Sequence, residues 1–325
     1  MPVEIEIAIV PVLITDVPLL RRATFYPLGF PVEIATNSEA VLEAAGESWG
    51  NFREEYAAAP MTVSITVTEE EDDEMPPRPK FRAHGHLMSV VGDPRNQVIC
   101  DFKQGCAVGW VTRQVAAEAP FLRLHFLEPA AMLLLVTIHM APLHGALVTK
   151  NGVGLALCGE SFAGKSTLAY ACARSGWTLV SDDGTFLIRN REGHFAVGNP
   201  YSVRFREDAK ELFPELAKYR IALRPNGEPG MEVRTAELSI STATGCSIDH
   251  VVFLRRSGFG PTGIHPLAPE KALAWLEETA LYGPAEVQAA QRQAYRRLLG
   301  AGLWELHYSD LSEALSLLGQ LGAKA

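Results

Sequence analysis

Residues 159–166 read Gly159-Glu160-Ser161-Phe162-Ala163-Gly164-Lys165-Ser166, the G-x-x-x-x-G-K-[ST] spacing of a phosphate-binding loop, the Walker A motif. Glycines let such a loop curl until several N–H groups converge on phosphate oxygens, and a helix that starts there adds the partial positive charge of its N-terminus. Lys165 then reaches the β- and γ-phosphates, Ser166 presents its hydroxyl to magnesium, and Thr167 carries the loop into the helix. A nucleoside triphosphate, ATP with Mg2+, is the ligand this chemistry takes. Further along, Asp182 and Asp183 set two carboxylates side by side. One can hold magnesium, directly or through water, while the other accepts the proton of an attacking hydroxyl. A plain turn is the alternative for this pair, because acidic residues commonly start turns. His144, taken alone at a strand start, reads more readily as a hydrogen-bonded structural residue than as a catalyst.

The neighbouring elements suit these roles. The apolar run Val153–Cys158 predicts a buried strand before the loop, and Thr167–Arg174 predicts a helix after it that stops at Gly176. Asn151-Gly152 marks a tight turn between two strands, His144–Val148 and Val153–Cys158. A strand over 177–181 delivers its carboxyl end to Asp182 and Asp183. In a parallel sheet that end lies beside the phosphate-holding helix N-terminus. Neighbouring extended residues point opposite ways, so the two acids act together on one ligand only if the strand has already ended, as Gly184 allows.

Earlier in the chain, Thr36 and Glu39 fit a T-x-x-E capping box before a helix over 37–48. Residues 61–68 alternate as a half-exposed strand. Gly92-Asp93-Pro94-Arg95-Asn96 suggests a hairpin. A helix is expected over 128–140, ended by Pro142. Further strands are expected near 186–189, 194–197, 236–241 and 250–254, and helices after Pro269 and over 310–321. The character of the sequence changes between residues 125 and 140, which divides an N-terminal α+β region (1–130) from a nucleotide-binding domain (131–325).

Composition narrows the classes. With 325 residues and 47% hydrophobic content the chain can bury a sizeable core. Its net charge is −9, of which six charges sit in the run Glu69–Glu74, leaving −3 elsewhere. No basic footprint for nucleic acid results. Five scattered cysteines with no C-x-x-C pair fit a reducing, cytoplasmic setting. Met1–Glu6 lacks the shape of a signal peptide, and the apolar stretch Ala130–Ile138 falls short of the ~20 residues a membrane span needs. No membrane partner is expected.

The stretch from His144 through Gly152, Gly159–Ser166 and Gly176 to Asp182-Asp183 resembles, in order and spacing, the catalytic domain of HPr kinase/phosphorylase. The resemblance implies an α/β fold: a P-loop-containing mixed sheet with flanking helices, related to phosphoenolpyruvate carboxykinase, here joined to a smaller N-terminal α+β region. It also implies ATP-dependent transfer to a serine hydroxyl of a protein or peptide, reversible by phosphorolysis. By the same resemblance Asp183 is the proton acceptor, Lys165 and His144 are active-site residues, and Ser166 with Asp182 binds magnesium. Oligomerisation is implied by the family alone. The family's Arg-Gly substrate signature is not recognisable here; residues 199–206 and 212–216 stand in its place. Arg204, Arg206, Arg224, Arg234 and Arg255-Arg256 are the candidates for stabilising transferred charge. A non-catalytic ATP-binding regulator and a small-molecule kinase are the competing readings.

Overall fold

The computed structural model describes residues 17–69, 74–189, 191, 193–223, 229–257, 260–280 and 283–323. Met1–Glu6, residues 70–73 of the acidic run and Arg224 lie outside the described residues. The architecture is mixed α/β, with two large sheets and a small one.

Seven strands form the first sheet: β1 (Arg21–Phe25), β2 (Val32–Thr36), β3 (Met61–Thr68), β4 (Lys80–His84), β5 (Leu87–Asp93), β6 (Asn96–Asp101) and β7 (Cys106–Thr112), in the order β1-β2-β3-β7-β6-β5-β4. The central β2, β3 and β7 are parallel and the outer strands antiparallel. In β3 the alternation resolves as expected, with Met61, Val63, Ile65 and Val67 buried. Helix α1 spans Glu39–Trp49 with Ser38 at its N-cap. The expected capping box does not form: Thr36 accepts a hydrogen bond from the Ser38 amide instead, within the turn that leads in.

Three short helices, α2 (Arg113–Ala117), α3 (Ala119–Leu122) and α4 (Glu128–Ile138), cover this sheet, with a π turn at Arg123–Leu127 between the last two. Pro129 explains the π turn, since its ring removes a donor and crowds the carbonyl four residues back. The expected apolar stretch is therefore longer than Ala130–Ile138. Ala119–Ile138 is one helical run of 20 residues, long and apolar enough to cross a membrane by length and composition. In this fold its Leu122, Phe126, Leu127, Leu134 and Leu135 are fully buried against the first sheet. The helix ends at Ile138, and Pro142 lies within the next strand rather than at a helix end.

The second half contains strands β8 (Met140–Lys150), β9 (Val153–Cys158), β10 (Thr178–Ser181), β11 (Gly184–Ile188), β12 (Phe195–Gly198), β13 (Ser202–Phe205), β14 (Ala222–Leu223), β15 (Pro229–Arg234), β16 (Ser241–Thr242), β17 (Gly245–Ser247), β18 (His250–Arg256), β19 (Gly263–Pro266) and β20 (Gly302–Tyr308). Ten of them make the second sheet, with the run β17-β12-β11-β8-β9-β18-β20-β19 and β10 paired to β8. Its faces are covered differently. On one lie α5 (Lys165–Arg174), the short α6 (Ala209–Leu212) and the small sheet β13-β15-β14; on the other lie α7 (Pro269–Ala280) and α8 (Ala285–Leu298). The last helix, α9 (Leu311–Leu321), packs beside α5. Strands β13, β14, β15, β19 and β20 were not expected from the sequence. The strand expected over 236–241 is instead a short 3-10 turn at Thr235–Glu237 followed by β16.

Strand β8 organises the site. One edge pairs antiparallel with β9, and β10 and β11 pair antiparallel with it in succession. β9 and β10 therefore run the same way with β8 between them. The sheet is mixed at this point, as expected of the fold class.

Candidate active site

The Gly159–Ser166 loop leaves the end of β9 and enters α5 with Gly164 at the N-cap, at φ +90°. That conformation favours glycine. The position is also crowded, because a Cβ there would lie 2.1 Å from the Tyr308 hydroxyl. Tyr308, at the end of β20, donates from that hydroxyl to the Ala163 carbonyl at 2.6 Å and so braces the loop from the side. Phe162 also has positive φ, +71°. By helix geometry the first amides of α5 have no acceptor inside the helix.

Lys165 folds back across the mouth of the loop and is 8% exposed. Its ammonium donates to the Gly159 carbonyl at 2.9 Å and the Glu160 carbonyl at 3.2 Å, and lies 3.1 Å from His144 Nε2. Burial pushes its pKa down, partly offset by the negative charge of Asp183. His144 is likewise held below the usual histidine range, chiefly by burial and then by the Lys165 charge, with Asp183 opposing. A neutral ring at pH 7 accepts from Lys165 at Nε2, which leaves the proton on Nδ1, 3.6 Å from Asp183 Oδ1.

Register explains this meeting. Gly145 of β8 is paired with Cys158 on the β9 side, and its amide donates to the Asp183 carbonyl at 3.2 Å on the other. His144 is opposite Gly184. The loop base and the acid pair thus flank one dipeptide, His144-Gly145. A side chain at 145 would meet the Leu157 carbonyl at 2.9 Å, so glycine is needed for the strands to close up.

Asp182 and Asp183 separate β10 from β11, the two segments that pair in succession with β8, next to a register shift at Leu179/Ser181 in the β10–β8 ladder. Irregularities of this kind re-aim side chains. Here the two acids diverge. Asp183 is half-exposed and faces His144. Asp182 is buried, and its Oδ2 accepts from the Arg204 amide at 2.7 Å. Burial lifts its carboxyl from 3.8 to about 6, against the opposing pull of the Arg204 amide and charge. The Ser166 hydroxyl donates to the Asp182 main-chain carbonyl at 3.2 Å rather than to the carboxylate.

Of the arginine candidates, Arg206 lies over the Phe162 ring with its guanidinium 3.6 Å from the centroid. Arg204 extends toward Glu232 at 3.9 Å. Arg255 lies between Glu305, at 3.1 Å, and Glu160 of the loop, at 3.9 Å. Arg234 and Arg256 are exposed at strand ends. Sequence reasoning missed Tyr308, although the inward Leu306 and Tyr308 alternating with Glu305 and His307 spell out a strand. A cleft of about 410 Å³ lies elsewhere, at the carboxyl ends of β2 and β3, where Arg21 and Arg113 are paired with Glu39 and Glu69.

No protein-family model matches the chain, and no curated protein does. Among solved structures, the Hpr(Ser) kinase/phosphatase from Coxiella burnetii aligns with 55% of this chain and 92% of its own, at 13% identity and a TM-score of 0.30.

Proposed function

We propose that the protein is an ATP-dependent kinase that moves the γ-phosphoryl group to a hydroxyl, a serine of a protein or peptide, in the manner of the HPr kinase/phosphorylase group that residues 144–183 resemble. One observation carries this reading: Lys165, His144 and Asp183 lie in a row beside a Walker A loop, 3.1 Å and 3.6 Å apart. The loop amides and the start of α5 bind phosphate oxygens. Lys165 exchanges its carbonyl partners for the β- and γ-phosphates. His144 stays neutral, steadies the ammonium and orients Asp183. The half-exposed Asp183 takes the proton as the acceptor oxygen bonds to phosphorus and the bond to the β-phosphate bridging oxygen breaks, releasing ADP.

Magnesium fits the donors present. Among the described residues no group of three or more His, Cys, Asp or Glu converges, and magnesium is typically held by one or two protein oxygens together with phosphate and water. The Ser166 hydroxyl, now turned to the Asp182 carbonyl, and the buried Asp182 carboxylate would supply those oxygens. When bound, the ion neutralises charge on the β- and γ-phosphates.

The test is label transfer from γ-labelled ATP with magnesium, using full-length protein and a lysate of its own host. Asp183→Asn is expected to lower transfer about 10²–10⁴-fold while nucleotide affinity stays within a few-fold. Unchanged turnover would remove Asp183 from the mechanism. Tight ATP binding without any labelled product would favour a regulator.

A further inference from the structure

Strand β13 buries Val203 and Phe205, the latter edge-on to Tyr170 at 4.9 Å, so Arg204 and Arg206 both face away from that core. The Arg204 amide fastens the strand to Asp182. Two residues on, Arg206 meets Phe162, the fourth residue of the loop. Phe162 is unusual on two counts: its φ is +71° and the residue is 71% exposed. Left-handed backbone is unfavourable at a bulky residue, and an exposed ring contributes nothing to a core. What the strained loop does present is a flat apolar surface on which a planar guanidinium stacks. The charge of Arg206 bears on the Lys165 ammonium and disfavours it. A polyanion bound at the loop relieves that repulsion.

We propose that Arg206 binds the terminal phosphoryl group of the nucleotide and that the Phe162 ring positions its guanidinium there. This rests on the loop being a nucleotide site. The other arginines near the loop have different engagements: Arg255 spans Glu160 and Glu305, and Arg204 extends toward Glu232. Arg206 stacks on the ring of a loop residue, Phe162, so closure of the loop on a ligand brings the guanidinium with it. Planarity matters, since a guanidinium both stacks on the ring and forks toward phosphate oxygens, whereas a lysine does neither.

ADP lacks the group in question, which makes the ATP-to-ADP affinity ratio the decisive readout. Calorimetric titration of full-length protein with Mg-ATP and Mg-ADP is expected to show that Arg206→Ala weakens ATP at least about tenfold and leaves ADP within about twofold. Phe162→Leu should reduce the ratio in the same sense but less, and Phe162→Tyr should restore it. If Arg206→Ala fails to fold, Arg206→Lys takes its place, and the ratio must still fall. Equal loss of both nucleotides, or no loss of either, overturns the assignment while leaving the nucleotide site intact. Failure of the wild-type protein to bind either nucleotide overturns both.

Discussion

Asp182 is protonated more readily in the folded chain than in the unfolded one, because its carboxyl is lifted from 3.8 to about 6 by burial. Folding therefore takes up a proton between those values, and the stability linked to it is present below about pH 4 and lost as pH rises through 6. At pH 7 the buried charge costs on the order of 3 kcal/mol. An amide at this position still accepts from the Arg204 N–H. Asp182→Asn, without ligand, is accordingly expected to melt at higher temperature than wild type at pH 7 and at nearly the same temperature at pH 4. A gap independent of pH would show that Asp182 is not the titrating group. Asp183→Asn removes a half-exposed carboxylate beside His144 instead, so comparing transfer in the two variants separates the proton acceptor from the magnesium ligand of the proposed reaction.

The loop, as an element, depends on β20. Gly164→Ala combines unfavourable φ with a clash against the Tyr308 hydroxyl, and is expected to abolish measurable nucleotide binding in calorimetry. Tyr308→Phe removes the hydrogen bond to Ala163, worth about 1 kcal/mol, together with the clashing atom. Adding it to Gly164→Ala should recover part of the binding; no recovery would mean that backbone strain dominates. Strand, loop and helix were readable because their signals are local: an apolar run, a fixed spacing, a helix stop at Gly176. So was the alternation of β3. The brace from Tyr308 was not, because nothing in residues 159–166 points 145 positions downstream. Strands β13 to β15 escaped for a similar reason. β14 is two residues long and β13 four, and both take their order from pairing with β15 rather than from periodicity. The nearness of His144 to Asp183 followed from family resemblance; its physical cause, Gly145 lying between Cys158 and Asp183, needed the register.

Across the whole molecule, the two large sheets touch through residues that lead into the site. Phe52 packs edge-on against Tyr201 at 4.9 Å, and the Tyr201 hydroxyl donates to the Asn51 carbonyl at 2.9 Å. Thr244 donates to Glu55 at 2.7 Å. Tyr201 directly precedes β13, whose Arg204 amide holds Asp182. Tyr201→Ala is therefore expected to lower the melting temperature and to speed hydrogen exchange at the Arg204 amide, read residue by residue. Undiminished protection there would mean that β13 is held by the second half alone. The dependence also runs the other way. Met140, Ile188 and Val197, carried by β8, β11 and β12, are buried in the core of the first sheet, and a single residue, His139, joins α4 to β8. The second half is consequently no portable cassette. A gene fragment opened near residue 130 would sever a helix and leave greasy side chains of its own strands bare to water, so any chimera that borrows the loop must import the first sheet with it.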